Sequence, residues 1–143
     1  MAIVEIPHGS PGYLELVRLR DLHLRKPLGL RMSEEDLAGE EKQRHFALLW
    51  NEVILGGLIA NPTRADTAKL RQMWVDPSLR GQGCGRHLLE EAERRLAAEG
   101  VVHFILNARE SAVGFYRSGG YEVVGERFTE VGIPHLRMEK RVE

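Results

Sequence analysis

A single cysteine is the chain's most consequential shortage. Cys84 has no partner for an intrachain disulfide, which fits the reducing cytoplasm, and no Cys/His cluster at zinc spacing points to a metal. A surplus of charge is missing too: 20 Lys and Arg stand against 21 Asp and Glu, for a formal net charge of -1. Nucleic-acid binders normally carry a basic excess, so that partner is not expected. No apolar run reaches the roughly 20 residues that a membrane helix needs. The start, Met1-Ala2-Ile3-Val4-Glu5, lacks the charged-then-apolar build of a signal peptide. Repeats, low-complexity tracts and linkers are absent as well. What remains is 143 residues, 43% apolar and 29% charged. That is too apolar for disorder and enough for one domain, residues 1–143, with its own core.

Periodicity places the elements. Ala2 to Ile6 reads as a strand, ended by Pro7 and Gly9. Leu14, Val17, Leu22 and Leu24 among charged residues predict a helix over Tyr13 to Leu24. Ser33 ahead of Glu34-Glu35-Asp36 predicts a second, capped helix. His45 to Trp50 and Val53 to Ala60 predict a hairpin turning at Asn51-Glu52. A turn over Asn61 to Asp66 follows, then a strand over Lys69 to Val75. Leu88, Leu89, Ala92, Leu96 and Ala97 form a stripe at helical spacing that Gly100 ends. Val101 to Leu106 is a short apolar strand, and strand–helix–strand implies a parallel pair with a right-handed crossover. A short helix over Glu110 to Ser118 precedes a last hairpin, Tyr121 to Val131 and His135 to Arg141, turning across Gly132-Ile133-Pro134. The class is α/β.

The densest signal is Met73-Trp74-Val75-Asp76-Pro77-Ser78-Leu79-Arg80-Gly81-Gln82-Gly83-Cys84-Gly85-Arg86. An apolar strand runs into Asp76-Pro77, and an Arg-x-x-Gly-x-Gly-type loop then opens directly onto the amphipathic helix. Glycines there let the backbone approach a ligand, and the helix start adds unpaired N–H groups and the positive end of its dipole. Such a nest suits a pyrophosphate. It is not a Walker loop, since no Lys-Ser or Lys-Thr follows the glycines. Glycines spaced two and two after an arginine also depart from the dinucleotide fingerprint.

Strand, Val-x-Pro, arginine, three spaced glycines and helix resemble the acyl-CoA-binding motif of the GNAT N-acetyltransferase superfamily. The likeness covers nearly the whole chain. It implies a GNAT-type mixed, mostly antiparallel sheet with a central splayed parallel strand pair and flanking helices. It implies acetyl-CoA as co-substrate, its pantetheine arm along the backbone of Met73, Trp74 and Val75. Its pyrophosphate would lie on the amides of Gly81, Gln82, Gly83, Cys84, Gly85 and Arg86, with Arg80 orienting the loop. Asn107-Ala108-Arg109-Glu110 through Phe115-Tyr116 to Gly120-Tyr121 matches a second motif, which makes Tyr116 the donor to the departing sulfur. Many relatives have an asparagine six residues before this tyrosine. Glu110 stands there, and Asn107 is the expected replacement contact to the cofactor.

The stretch Gly125-Glu126-Arg127-Phe128, then Val131-Gly132-Ile133-Pro134-His135, resembles the small bacterial branch that includes glyphosate-type N-acetyltransferases. That likeness makes His135 the general base, a task imidazole suits because it titrates near neutrality. Glu126 and Glu130 are alternative bases. Arg25, Arg71 and Arg109 fall where that branch holds an anionic acceptor, and guanidinium forks bind carboxylate or phosphonate through paired hydrogen bonds. The expected activity is acetyl transfer to the amine of a small acidic molecule in a ternary complex. Two other readings stay open: an acceptor that is a protein, peptide or polyamine, and a non-catalytic acyl-CoA sensor. The edge at the last hairpin allows a homodimer.

Overall fold

The computed structural model describes residues 1–142, and its first two α-helices start at capping serines. After β1 (Ala2–Glu5), Ser10 accepts from the Tyr13 amide and opens α1 (Pro11–Arg20). The helix then loosens into a π turn over Asp21–Arg25 and a 3₁₀ turn over Lys26–Leu28. The expected single helix to Leu24 is therefore shorter, and its last turn is widened. α2 (Glu34–Leu37) starts at a reciprocal capping box in which Ser33 and Asp36 satisfy each other's amides. α3 (Cys84–Ala98) and α4 (Val113–Ser118) complete the helices, α4 following a 3₁₀ turn at Glu110–Ala112.

The hairpin of β2 (Arg44–Trp50) and β3 (Val53–Arg64) turns at Asn51-Glu52, both at positive φ. Such a two-residue turn matches the twist of the strands it joins. β3 runs through Asn61 to Arg64, which the sequence predicts as a turn. Pro62 is tolerated because β2 ends its pairing at Arg44↔Ala60, leaving only β4 (Thr67–Val75) beside it. β5 (His103–Arg109) begins two residues later than expected and runs three further, carrying Asn107 and Arg109 inside a strand. β6 (Glu122–Val123), β7 (Phe128–Glu130) and β8 (Ile133–Arg141) end the chain. The last turn lies at Val131-Gly132, both at positive φ, instead of Gly132-Ile133-Pro134. Pro134 stays in β8 because β5–β8 pairing stops at Arg109↔His135, so no ladder bond across to β5 is lost.

One eight-stranded sheet results, in the order β1-β2-β3-β4-β5-β8-β6, with β7 against β8. All pairs are antiparallel except β4–β5. The β4–β5 ladder stops at Leu70↔Leu106, and beyond it the two strands part. This parting opens the sheet at its centre. On one face α3 buries Leu88, Leu89, Ala92 and Leu96 among Phe46, Leu58, Leu70, Phe104, Leu106 and Met138. On the other, Leu16 and Leu19 of α1 pack with Ala47 and Trp74.

Candidate active site

β4 changes direction at its bulge. Its register against β3 slips between Ile59↔Arg71 and Gly57↔Trp74, and Gln72 takes φ +52°. A positive φ at a non-glycine residue is costly and persists where surroundings over-determine it. Here Arg20 Nε donates to Gln72 Oε1 at 2.7 Å. The bulge puts Lys69, Arg71 and Trp74 all on the α1 face of the sheet.

Two cavities flank the opening. The larger, about 710 Å³, runs from Met73, Trp74 and Val75 past Leu79, Arg80 and Gly81 to Gly83, Cys84, Gly85 and Arg86. Gly81 and Gly83 both have φ +75°. Gly83 caps α3 with no side-chain acceptor, and the first helical bond is His87 N–H to the Gly83 carbonyl at 3.0 Å. The amides of Cys84, Gly85 and Arg86 therefore lack partners within the helix. The Gln82 amide turns back to the Leu79 carbonyl, and its side chain to that of Ser78. Arg86 stacks over Phe115 and donates to Ser118 Oγ, and its buried Nε has no partner. Unspent donors around two left-handed glycines suit a pyrophosphate. His23, which carries no motif in the sequence, lies parallel to Trp74 at 4.6 Å and lines the same cleft.

The smaller cavity, about 400 Å³, is walled by Arg25, Asp36, Lys69, Arg71, Asn107, Arg109, Glu130 and His135, among others. Met73, Arg109 and Tyr116 line both cavities and so mark their junction. The Tyr116 hydroxyl faces Met73 Sδ at 3.6 Å. Burial pushes this phenol up to about 12, with the Arg109 guanidinium pulling the other way.

His135 is almost fully buried, on β8 opposite Arg109. Its Nδ1 lies 3.0 Å from the Ile133 carbonyl, which only accepts. That nitrogen is therefore the donor of the pair, which leaves Nε2 as the ring atom directed toward Glu130. Glu130 Oε2 lies 3.4 Å from Nε2, while Asn107 Nδ2 donates to Glu130 Oε1 at 3.4 Å. Glu130 thus stands at the cavity. Glu126, the other acid considered as a base, is exposed and does not line it.

The three arginines do converge here, in different states. Arg25 pairs with Asp36 at 3.2 Å. Arg71 donates to Glu40 Oε2 at 2.8 Å, Gln43 Oε1 at 2.9 Å and the Asp36 carbonyl at 3.2 Å, so most of its fork is taken. Arg109 donates only to the Leu24 carbonyl, at 3.1 Å, and pairs with no carboxylate among the described residues. Burial and the nearby Arg25 charge weaken its hold on its proton. Asn107, expected at the cofactor, lines the smaller cavity and not the larger, because β5 carries it onto the Lys69 side.

Behind this wall lies a cluster that sequence reasoning missed. Glu40 has no exposed surface, and Arg20 grips it through two bonds at 2.8 and 2.6 Å. The Tyr13 hydroxyl adds a third at 2.7 Å. Glu40 sits in an acidic surface-like stretch, Glu40-Glu41-Lys42, and only folding reveals that one of these is interior. Lys69 was also missed. Strand alternation with Arg71 would have found it.

Residues 24–142 match the model of the acetyltransferase (GNAT) domain. An uncharacterized N-acetyltransferase of Bacillus subtilis, YjcF, is 42% identical over 73 residues, which is 50% of this chain and 52% of that protein. The chain thus spans about half the length of that relative. Escherichia coli ElaA superposes with a TM-score of 0.84 at 20% identity, over 99% of this chain and all of that one. A GNAT family acetyltransferase from Elizabethkingia anophelis with acetyl-CoA bound gives 0.75 at 16% identity, over 99% and 97%. At these identities the superpositions speak for the fold. With the family model covering most of its length, the chain belongs to the GNAT acetyltransferase family.

Proposed function

We propose that the chain is an acetyl-CoA-dependent N-acetyltransferase that acetylates the amine of a small acidic molecule, both substrates being bound together. The observation that carries this reading is the meeting of two cavities at Tyr116 and Arg109, with His135 on the acceptor side. Acetyl-CoA supplies the acetyl thioester. The β4 edge at Met73, Trp74 and Val75 offers backbone groups to an amide-bearing arm. The amides of Gly81, Gly83, Cys84, Gly85 and Arg86 receive the pyrophosphate, with Arg80 lining the same cavity; the expected Gln82 amide is instead spent on the Leu79 carbonyl.

His135 Nε2 takes the proton from the acceptor ammonium, since the other ring nitrogen is already committed to Ile133. Glu130 faces the imidazolium that forms and stabilises its charge. Tyr116 donates a hydrogen bond to the leaving sulfur. At about 12 the phenol is a weaker acid than a thiol near 8.5, so it keeps its proton and stabilises thiolate charge as that charge appears. Arg109 holds the acceptor's anion, while Arg25 pairs with Asp36 and Arg71 spends most of its fork on protein partners. The set of His135, Arg25, Arg71 and Arg109 supports the branch that includes glyphosate-type N-acetyltransferases. Cytoplasm, with its free thiols, is the compartment this reading fits.

The test is acetyl-CoA-dependent release of thiol with acidic, neutral and cationic amines, for the wild type and His135→Ala. Turnover should favour acidic amines and fall by about 10² to 10⁴ in the variant, the scale of general acid–base catalysis. Near-normal turnover in His135→Ala across neutral pH would remove the base assignment. Turnover confined to cationic amines or peptides would remove the substrate class.

A further inference from the structure

The cavity beside His135 has unequal charge pairing along its length. Arg25 is answered by Asp36, and Arg71 by Glu40. Two cations lining it have no carboxylate partner among the described residues: Arg109 at the junction with the larger cleft, and Lys69. Lys69 is half-buried on β4, on the same face as Arg71, and makes neither an ion pair nor a side-chain hydrogen bond among the described residues. Its register partner on β5 is Ile105, four residues before Arg109. At about 3.3 Å per residue, the two cations are anchored about 13 Å apart along the strand direction. Asn107 lies midway between them on the same face, and it holds Glu130 against His135 Nε2.

Along the direction of β5 the wall therefore runs from a free cation to a carboxylate beside the base to a second free cation, and the exposed Glu35 also lines the cavity. A partly desolvated cation without a counter-ion is costly, and a bound anion relieves that cost. Glu130 at the centre suits an ammonium. Resting on the acetyltransferase reading above, we infer that the acceptor is an amine carrying two anionic groups, one held by Arg109 near the cofactor and the other by Lys69 at the far end. Lys69 is then the specificity-determining residue that separates a doubly acidic amine from a singly acidic one. The amine sits between the two anchors, with its nitrogen at Glu130 and His135. Aminodicarboxylates and phosphorylated or phosphono amino acids have this pattern.

The test is the ratio of kcat/KM for paired acceptors: glutamate against glutamine, aspartate against asparagine, and O-phosphoserine against serine. The wild type should prefer at least one doubly acidic member. Lys69→Met keeps the aliphatic stem and should lower that ratio by about 10- to 100-fold, the weight of one charge-assisted hydrogen bond. Lys69→Arg should restore it. A ratio that Lys69→Met leaves alone, or equal preference for both members in the wild type, would overturn the inference while turnover with singly acidic amines keeps the acetyltransferase reading standing. No turnover with any amine, acetyl-CoA still binding, would overturn both.

Discussion

Replacing Glu40 with alanine perturbs the molecule where its charge is most deeply enclosed. Arg20, only 2% exposed, would lose the acceptor of two bonds, and Arg71 and Tyr13 would lose one each. Stranding a buried cation in this way costs about 3–5 kcal/mol. The electrostatic environment of the carboxyl gives a second route to the magnitude. Burial pushes the Glu40 carboxyl up, but the bonds from Arg20, Tyr13 and Arg71 and the Arg20 charge overcome it and bring it from 4.5 down to about 2. At 1.36 kcal/mol per pH unit that depression amounts to about 3 kcal/mol. Both routes agree. With about 2.1 cal/mol/K of unfolding entropy per residue, 143 residues give about 0.3 kcal/mol/K, so Tm should fall by about 10–17 °C near neutral pH.

The sign of the pH dependence follows. A carboxyl whose folded value lies below its unfolded one contributes fully above about 4.5 and loses that contribution as pH falls toward about 2. Thermal unfolding of wild type and Glu40→Ala from about pH 7 to about pH 3 should show the Tm gap narrowing below about 4.5. A Tm within about 3 °C of wild type at neutral pH, or a gap that ignores acid, would refute the argument. Because Glu40 also fixes Arg71 and, through Arg20, Gln72 at the β4 bulge, the variant's acceptor KM should rise.

Two further outcomes concern the cofactor side. Gly83→Ala forces a Cβ into a left-handed backbone at about 1–2 kcal/mol, although nothing lies within 4 Å of it, so Tm should fall by about 3–7 °C. Titration of acetyl-CoA should show weaker binding by about tenfold, and unchanged binding would detach the glycine loop from the cofactor. Tyr116→Phe removes a hydroxyl whose bond within the chain is to Met73 sulfur, so the fold should persist while kcat falls by about 10²-fold. Single-turnover rates equal to wild type would show that the sulfur needs no donor there.

Features set by neighbouring residues were legible in advance. The glycine loop and amphipathic α3 are local patterns, and so are the Ser33 cap and the Asn51-Glu52 turn. Boundaries failed where tertiary pairing overrode a breaker: Pro62 and Pro134 both sit in strands where the ladder to one neighbour, β2 or β5, has already stopped. The convergence of Arg25, Arg71, Arg109, Tyr116 and His135 was legible only through family likeness, since they lie far apart in the chain. A motif gives Asn107 its place in the order of residues, but its position on the wall of the smaller cavity was set by how β4 and β5 part.

By itself the sequence determined that an anion-binding nest follows an apolar strand and opens an amphipathic helix, because glycine conformation and 3.6-residue periodicity act over a few residues. The tertiary structure alone decided which charges are spent and which are free. Glu40 meets Arg71 across 31 residues of chain and Arg20 across 20, and no spacing rule announces such pairs. Those encounters leave Arg109 and Lys69 without carboxylates among the described residues. A side chain's charge is written in the sequence, but its counter-ion is chosen by the sheet.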